Sequence, residues 1–110
     1  MYHMNLNPSP FEMMKSGRKT IELRLYDEKR QQLKVGDVIV FTNSETGEVL
    51  RKTVVKLHRF ESFAQLYAAL SLLQCGYTEE NVEKAHPSDM EQYYTAQQQA
   101  KYGVVGIELE

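Results

Sequence analysis

Gly17-Arg18-Lys19-Thr20-Ile21-Glu22-Leu23-Arg24-Leu25-Tyr26 is the stretch whose reading decides the fold. Side chains of a strand point alternately to its two faces. Ile21, Leu23 and Leu25 therefore fall on one apolar face, and Thr20, Glu22, Arg24 and Tyr26 on the other. A strand with one core face and one charged face borders something polar. If it lines a cleft, Lys19, Glu22 and Arg24 form a compact set of donors with one acceptor. Such a set suits a polar, planar or anionic ligand.

The residues before the strand position Lys19. Ser9-Pro10-Phe11-Glu12 reads as a helix start, with Ser9 at the N-cap, Pro10 at the first helical position and Glu12 reaching back. The helix predicted over 10–16 stops at Ser16-Gly17, with Gly17 in the left-handed conformation. A short helix thus delivers Lys19 to the mouth of a strand over 19–26.

Outward from there the chain alternates between two periods. Tyr2 to Leu6 reads as a first strand. Asp27 to Gln32 is polar, with room for one helical turn. Val35-Gly36-Asp37 turns into Val38-Ile39-Val40-Phe41, an apolar run expected to be buried on both faces. Asn43 to Glu48 is hairpin loop chemistry around Gly47, and Val49 to Phe60 is a long strand. The period then becomes helical. Phe63, Leu66, Tyr67, Leu70 and Leu73 predict an amphipathic helix over 62–73, ended by Gly76. Thr78 with Glu79 and Glu80 reads as the cap of a short helix reaching Ala85, and Pro87 opens a further turn through Met90. Thr95-Ala96-Gln97-Gln98 is a second capping-box pattern, for a helix ending near Tyr102-Gly103. Val104 to Leu109 is a closing strand.

That last strand must return to the earlier ones to bury Val104, Val105 and Ile107. The expectation is an α+β domain: a small, mostly antiparallel β-barrel with inserted short helices, closed so that no sheet edge is exposed. At 110 residues the chain is read as a single domain spanning 1–110.

Composition narrows the function classes. The net charge of −2 is unevenly spread. Residues 1–59 carry 11 Lys/Arg against 7 Asp/Glu, for +4; residues 60–110 carry 2 against 8, for −6. Binders of long duplexes are usually more basic, whereas a basic rim around one cleft fits these numbers. The acidic second half leaves a protein partner open. Cys75 is the only cysteine, so no internal disulfide forms and a reducing, cytoplasmic setting is expected. One Cys and three scattered His do not make a zinc ligand set. No metal or cofactor is expected. No apolar run approaches the ~18 residues of a membrane span, and no signal-peptide pattern is present.

The spacing Gly17…Lys19…Glu22…Arg24 resembles the G-x-K-x-x-E-x-R signature of the ASCH domain family. Phe11 to Gly17, Val35-Gly36-Asp37, Ser62-Phe63, Gly76-Tyr77, Tyr93-Tyr94 and Lys101 to Ile107 are similar to small prokaryotic members in the same order. The resemblance runs from about residue 4 to 109. It implies a PUA-like barrel with a cleft lined by the motif, and an RNA, nucleotide or nucleoside ligand. It also implies an alternative, because one bacterial branch is an amidohydrolase that deacylates N4-acetylcytidine. Its catalytic set resembles a lysine, a threonine and a glutamate. Lys19 matches the lysine. The place three residues on, threonine in that branch, holds Glu22 here, and Thr20 is out of register with it.

The candidate ligand-binding residues are therefore Lys19, Thr20, Glu22, Arg24, Tyr26 and Tyr94. Lys19 and Glu22 are the candidate catalytic residues if the protein is an enzyme. Lys19 and Arg24 would donate to a carbonyl or phosphate, Glu22 would accept from a base amine, and a tyrosine would stack. His58 is expected to be a hydrogen-bonded structural histidine, and Cys75 a small buried residue with no group placed to activate it.

Overall fold

The computed structural model describes residues 1–110. Five strands (β1, Tyr2–Leu6; β2, Ile21–Leu25; β3, Val38–Asn43; β4, Val49–Phe60; β5, Val104–Leu109) form one sheet in the order β1-β3-β4-β5-β2. Only the β1/β3 pair is parallel. Three α-helices accompany them: α1, Pro8–Lys15; α2, Phe63–Ala69; α3, Ala96–Tyr102. Short 3-10 helices cover Arg30–Gln32, Val82–Lys84 and Pro87–Gln92. No helix is long and apolar enough to cross a membrane.

β4 organises the sheet. Its first half pairs with β3 and its second half with β5, and the register shifts between Val54 and Lys56. Such an irregularity bends a strand and increases its twist. The sheet therefore curls into a half-barrel of PUA-like, α+β type. It does not close as expected: β1 and β2 are its two edges. Across the open seam, the Arg24 guanidinium donates from Nη2 to the Asn5 carbonyl oxygen at 3.1 Å. A side chain thus replaces the missing backbone ladder.

Alternation along β5 builds two cores. Val105, Ile107 and Leu109 point into the half-barrel with Met4, Leu6, Ile39, Phe41 and Val54. Helix α1 plugs that side with Phe11 and Met14, both fully buried. Burying such side chains contributes about 1.5–3 kcal/mol each. Val104 points the other way, onto Ile21, Leu23, Leu25, Phe63, Leu66, Cys75 and Met90. Strand β2 is thus enclosed on both sides, with its apolar face in the second core, as its alternation predicts.

Several element starts differ from the sequence reading. Helix α1 begins at Pro8 with Asn7 as N-cap, and no side chain caps it, so Ser9 lies inside the first turn. Helix α2 is correctly capped by Ser62 but ends at Ala69, because Leu70 turns extended at φ −105° and ψ 156°. Residues 71–76 then form tight turns instead of helix. The Gln74 carbonyl accepts from the Thr20 and Ile21 N–H groups at 2.9 and 3.0 Å, which ties this segment to the entrance of β2. Asn81, not Thr78, precedes the Val82–Lys84 turn. The Thr95/Gln98 capping box is present as read.

Candidate functional site

The site lies in the open seam of the half-barrel. Helix α1 ends with Gly17 at φ +87°, and the Arg18 and Lys19 N–H groups both bond to the Met13 carbonyl at 3.0 Å. This turn sets the direction in which Lys19 leaves the helix. The Lys19 stem then lies against Gly76, whose φ is +113°. A methyl group on Gly76 would sit 3.3 Å from Lys19 Cδ, so a side chain there would crowd the lysine.

Lys19, Glu22 and Arg24 form one triad, buried at Lys19 and Glu22 and part-buried at Arg24. Lys19 Nζ is 2.8 Å from Glu22 Oε1, and Arg24 Nη2 is 2.8 Å from Glu22 Oε2. Arg24 Nε also donates to Oε2 at 2.8 Å, which makes the guanidinium contact two-pronged. Glu22 is 4% exposed and Lys19 9%. Burial pushes the Glu22 carboxyl up, but the neighbouring Lys19 and Arg24 charges outweigh it and hold the group below its ordinary range. Burial works against the Arg24 charge, and Glu22 together with Tyr94 more than restores it. The triad carries one net positive charge. Lys19 has three donors and one protein partner, so donors remain for a ligand.

These residues line a cavity of about 440 Å³. Asn5, Leu6 and Asn7 from the end of β1 form one rim. The opposite wall comes from the segment 75–94 and includes Cys75, Tyr77, Asp89, Met90, Tyr93 and Tyr94. That wall is held by a hydrogen-bond chain. Tyr77 donates from its hydroxyl to Asp89 Oδ2 at 2.7 Å, and the Tyr67 and Tyr77 hydroxyls are 2.7 Å apart. The Tyr77 hydroxyl, with the His86 N–H, keeps the Asp89 carboxyl below its usual range. A fixed acceptor and the cationic triad thus line the same cavity. Burial pushes the Cys75 thiol up to about 11, so it is a neutral wall atom and not a nucleophile.

The tyrosines divide by exposure. Tyr94 stacks on Phe63, with ring centres 6.2 Å apart and planes 17° apart, which holds it as a partly buried wall. Burial raises its hydroxyl pKa, an effect partly offset by Arg24. Tyr93 is 59% exposed at the rim and offers the more accessible ring.

Among the candidates from sequence, the structure brings Lys19, Glu22, Arg24 and Tyr94 together around this cavity. Thr20 is not part of its lining: its carbonyl accepts from the Leu109 N–H at 2.8 Å and its own N–H bonds to Gln74, so its backbone joins elements. Tyr26 shares the strand face of Glu22 and Arg24 but lines a separate groove beside Arg59. His58 lies outside the cavity, its Nε2 2.8 Å from Glu108 Oε1. Asn5, Tyr77 and Asp89 were not among the site residues expected from sequence. Nothing local marks Asn5. Asp89 had one legible signal, its place two residues after Pro87, in the turn that Pro87 opens.

The comparisons with known proteins agree with this architecture. The chain is 36% identical to the hypothetical protein PH0355, over 99% of this chain and 96% of that one, with a TM-score of 0.80. It is 34% identical to protein PF0455 from Pyrococcus furiosus, over 99% and 94% of the two chains, with a TM-score of 0.74. An ASCH protein from Zymomonas mobilis shares the fold at 12% identity, over 98% of this chain and 65% of that one, with a TM-score of 0.66. No curated protein matches. The family model for the ASCH domain matches residues 4–110. With a PUA-like half-barrel and a match across nearly its whole length, the chain belongs to the ASCH domain family.

Proposed function

We propose that this ASCH domain binds RNA by holding one nucleotide in the cavity of Lys19, Glu22 and Arg24. The observation that carries the reading is the buried triad opening into that cavity. Buried ion pairs cost desolvation, and well-packed apolar residues often give equal or better stability. A triad kept at the edge of a cavity is better accounted for by ligand binding than by folding. About 440 Å³ falls within the range of small-ligand sites. ASCH domains are PUA-like and associated with RNA binding, which supports the ligand class.

Each group then has a role. Lys19 and Arg24 donate to a phosphate or base carbonyl. Glu22 aligns both and offers its remaining lone pairs to a base amine. Tyr94 walls the base, and Tyr93 stacks at the rim, an interaction worth about 1–3 kcal/mol per base. The test is fluorescence anisotropy with a short single-stranded RNA. Lys19→Ala and Arg24→Ala, shown to be folded by circular dichroism, should bind at least tenfold more weakly, and exposed Tyr93→Ala should lose affinity too. Parent-like binding by all three variants would place the RNA elsewhere.

The Lys19–Glu22 contact also favours a second reading, hydrolysis of an acylated nucleoside such as N4-acetylcytidine. Water would add to the acyl carbon and the C–N bond would break, giving acetate and the free amine. Glu22 would take the water proton and return it to the leaving amine nitrogen, and Lys19 would steady the developing oxyanion. Acetate release that disappears in Lys19→Ala would establish this activity. No release by a protein that binds RNA would leave recognition as the function.

A further inference from the structure

A second concave surface lies apart from the cavity and shares no lining residue with it. It is a groove of about 1070 Å³ between the end of β4 and helix α3. Its principal side chains are Tyr26, Arg59, Lys101 and Tyr102. Arg59 lies over the Tyr26 ring, 5.3 Å from its centre, and donates from Nη1 to the Tyr26 hydroxyl at 3.2 Å. Lys101 Nζ lies 5.1 Å from the centre of the Tyr102 ring. Both cations are exposed, and neither is within ion-pair distance of a carboxylate, although Glu61 lines the same groove. Cations resting on aromatic rings give flat, positively charged platforms.

The floor of the groove is specified by the backbone. Gly103 has φ +72°, and a Cβ there would lie 2.9 Å from the Phe60 carbonyl oxygen. Only glycine lets α3 end that close to β4.

Two links join groove and cavity. Arg24 borders the cavity and Tyr26 the groove, two residues apart on one face of the chain, or about 7 Å at strand rise. Tyr94 lines the cavity, Ala96 and Gln99 line the groove, and Gln99 Nε2 donates to the Tyr94 carbonyl at 3.1 Å. A chain leaving the cavity past Arg24 and Tyr94 meets the Arg59/Tyr26 platform next.

We propose that this groove is a second contact site for the same single-stranded RNA, with Arg59 and Lys101 taking phosphates of nucleotides that flank the one in the cavity. The inference rests on the RNA reading of the cavity and extends it to a longer footprint. Tyr26 thereby serves as an outlying platform and not as a wall of the cavity. Single-stranded nucleic acid is commonly tracked by such alternation of cations and rings.

The experiment compares parent and Arg59→Gln/Lys101→Gln protein, binding a mononucleotide and an eight-nucleotide single-stranded RNA between 50 and 200 mM salt. Both substituted residues are exposed, so the variant keeps the fold. The expected result is unchanged mononucleotide affinity with weaker octamer binding. Single strands lose a slope of about 0.7 in log K against log salt per phosphate contact, so two lost contacts remove about 1.4. Over that fourfold salt range the parent's octamer affinity should fall about sevenfold more than the variant's. Equal octamer affinity and slope in the two proteins would overturn the proposal. Mononucleotide binding by the parent with no gain for the octamer would overturn the groove alone. No binding of either probe by the parent would overturn the groove together with the cavity reading. Polyglutamate binding as tight as the octamer's would make the groove an acidic-peptide surface and overturn it as an RNA site.

Discussion

Glu22→Ala is the perturbation that exposes the energetics of the site. Its carboxylate is 4% exposed and holds two cations at 2.8 Å. Removing it leaves the buried Lys19 and the part-buried Arg24 as like charges with no carboxylate between them. Breaking a buried ion pair by deleting one member costs about 3–5 kcal/mol. Domains of this class are stable by about 5–15 kcal/mol in total. At ~4–8 °C per kcal/mol, the melting temperature should fall by on the order of 20 °C. Urea unfolding followed by circular dichroism at pH 7 measures the loss directly.

The pH dependence carries the same signature. The fold lowers the Glu22 carboxyl pKa from its ordinary 4.5, so the unfolded chain binds its proton more readily. The triad's contribution is therefore complete above about pH 4.5 and disappears as the pH falls through the lower folded value. The gap between parent and variant should narrow below that pH. A triple variant, Lys19→Met/Glu22→Leu/Arg24→Met, should be as stable as the parent or more so while failing to bind RNA, since apolar replacement of buried ion pairs is often neutral or better. A Glu22→Ala protein within 1 kcal/mol of the parent, or a gap that persists unchanged to pH 3, would refute the reasoning.

Other consequences can be checked separately. Gly103→Ala combines a positive φ with a 2.9 Å contact to the Phe60 carbonyl, and should cost about 1–3 kcal/mol in urea unfolding; a neutral substitution would mean that α3 shifts freely on β4. Tyr77→Phe removes the hydroxyl that lowers the Asp89 carboxyl pKa, so NMR titration should find Asp89 titrating at higher pH in the variant, and an unmoved titration would dissolve the Tyr67–Tyr77–Asp89 chain. Cys75, 5% exposed with its thiol pushed up to about 11, should react slowly with a disulfide reagent at pH 8 and rapidly after denaturation; fast labelling of the folded protein would show an open cavity wall.

The legible parts of the chain were those written in local period. Strand β4 spans Val49–Phe60 and β5 Val104–Leu109, as read, because Glu61-Ser62 stops the first and Gly103 precedes the second. The charged face of β2 was legible for the same reason: alternation alone puts Glu22 and Arg24 together, and Gly17 marks where Lys19 enters. Two local patterns misled. Leu70 and Leu73 continue the spacing of α2, yet the chain must turn at Leu70 for Gln74 to reach the N–H groups of Thr20 and Ile21. Ser9-Pro10 resembles a cap, but Asn7-Pro8 is the same kind of pair two residues earlier, and the helix starts there. The far wall of the site was not legible. Asn5 reaches Arg24 only because β1 joins the opposite edge of the sheet through a parallel pairing with β3, and Asp89 arrives on a segment held mainly by tyrosine hydroxyls. Likewise Tyr26 occupies the expected face but lies past the end of β2, where the surface belongs to α3 and Arg59.

The most direct test of the central claim is a ¹H–¹⁵N NMR titration of the parent protein and Lys19→Ala with a mononucleotide. Amide shifts in the parent should concentrate at Asn5, Lys19 to Arg24, Gly76-Tyr77 and Tyr93-Tyr94, and should vanish in the variant. Shifts confined to other surfaces, or equal in the two proteins, would contradict a nucleotide site built on the buried triad.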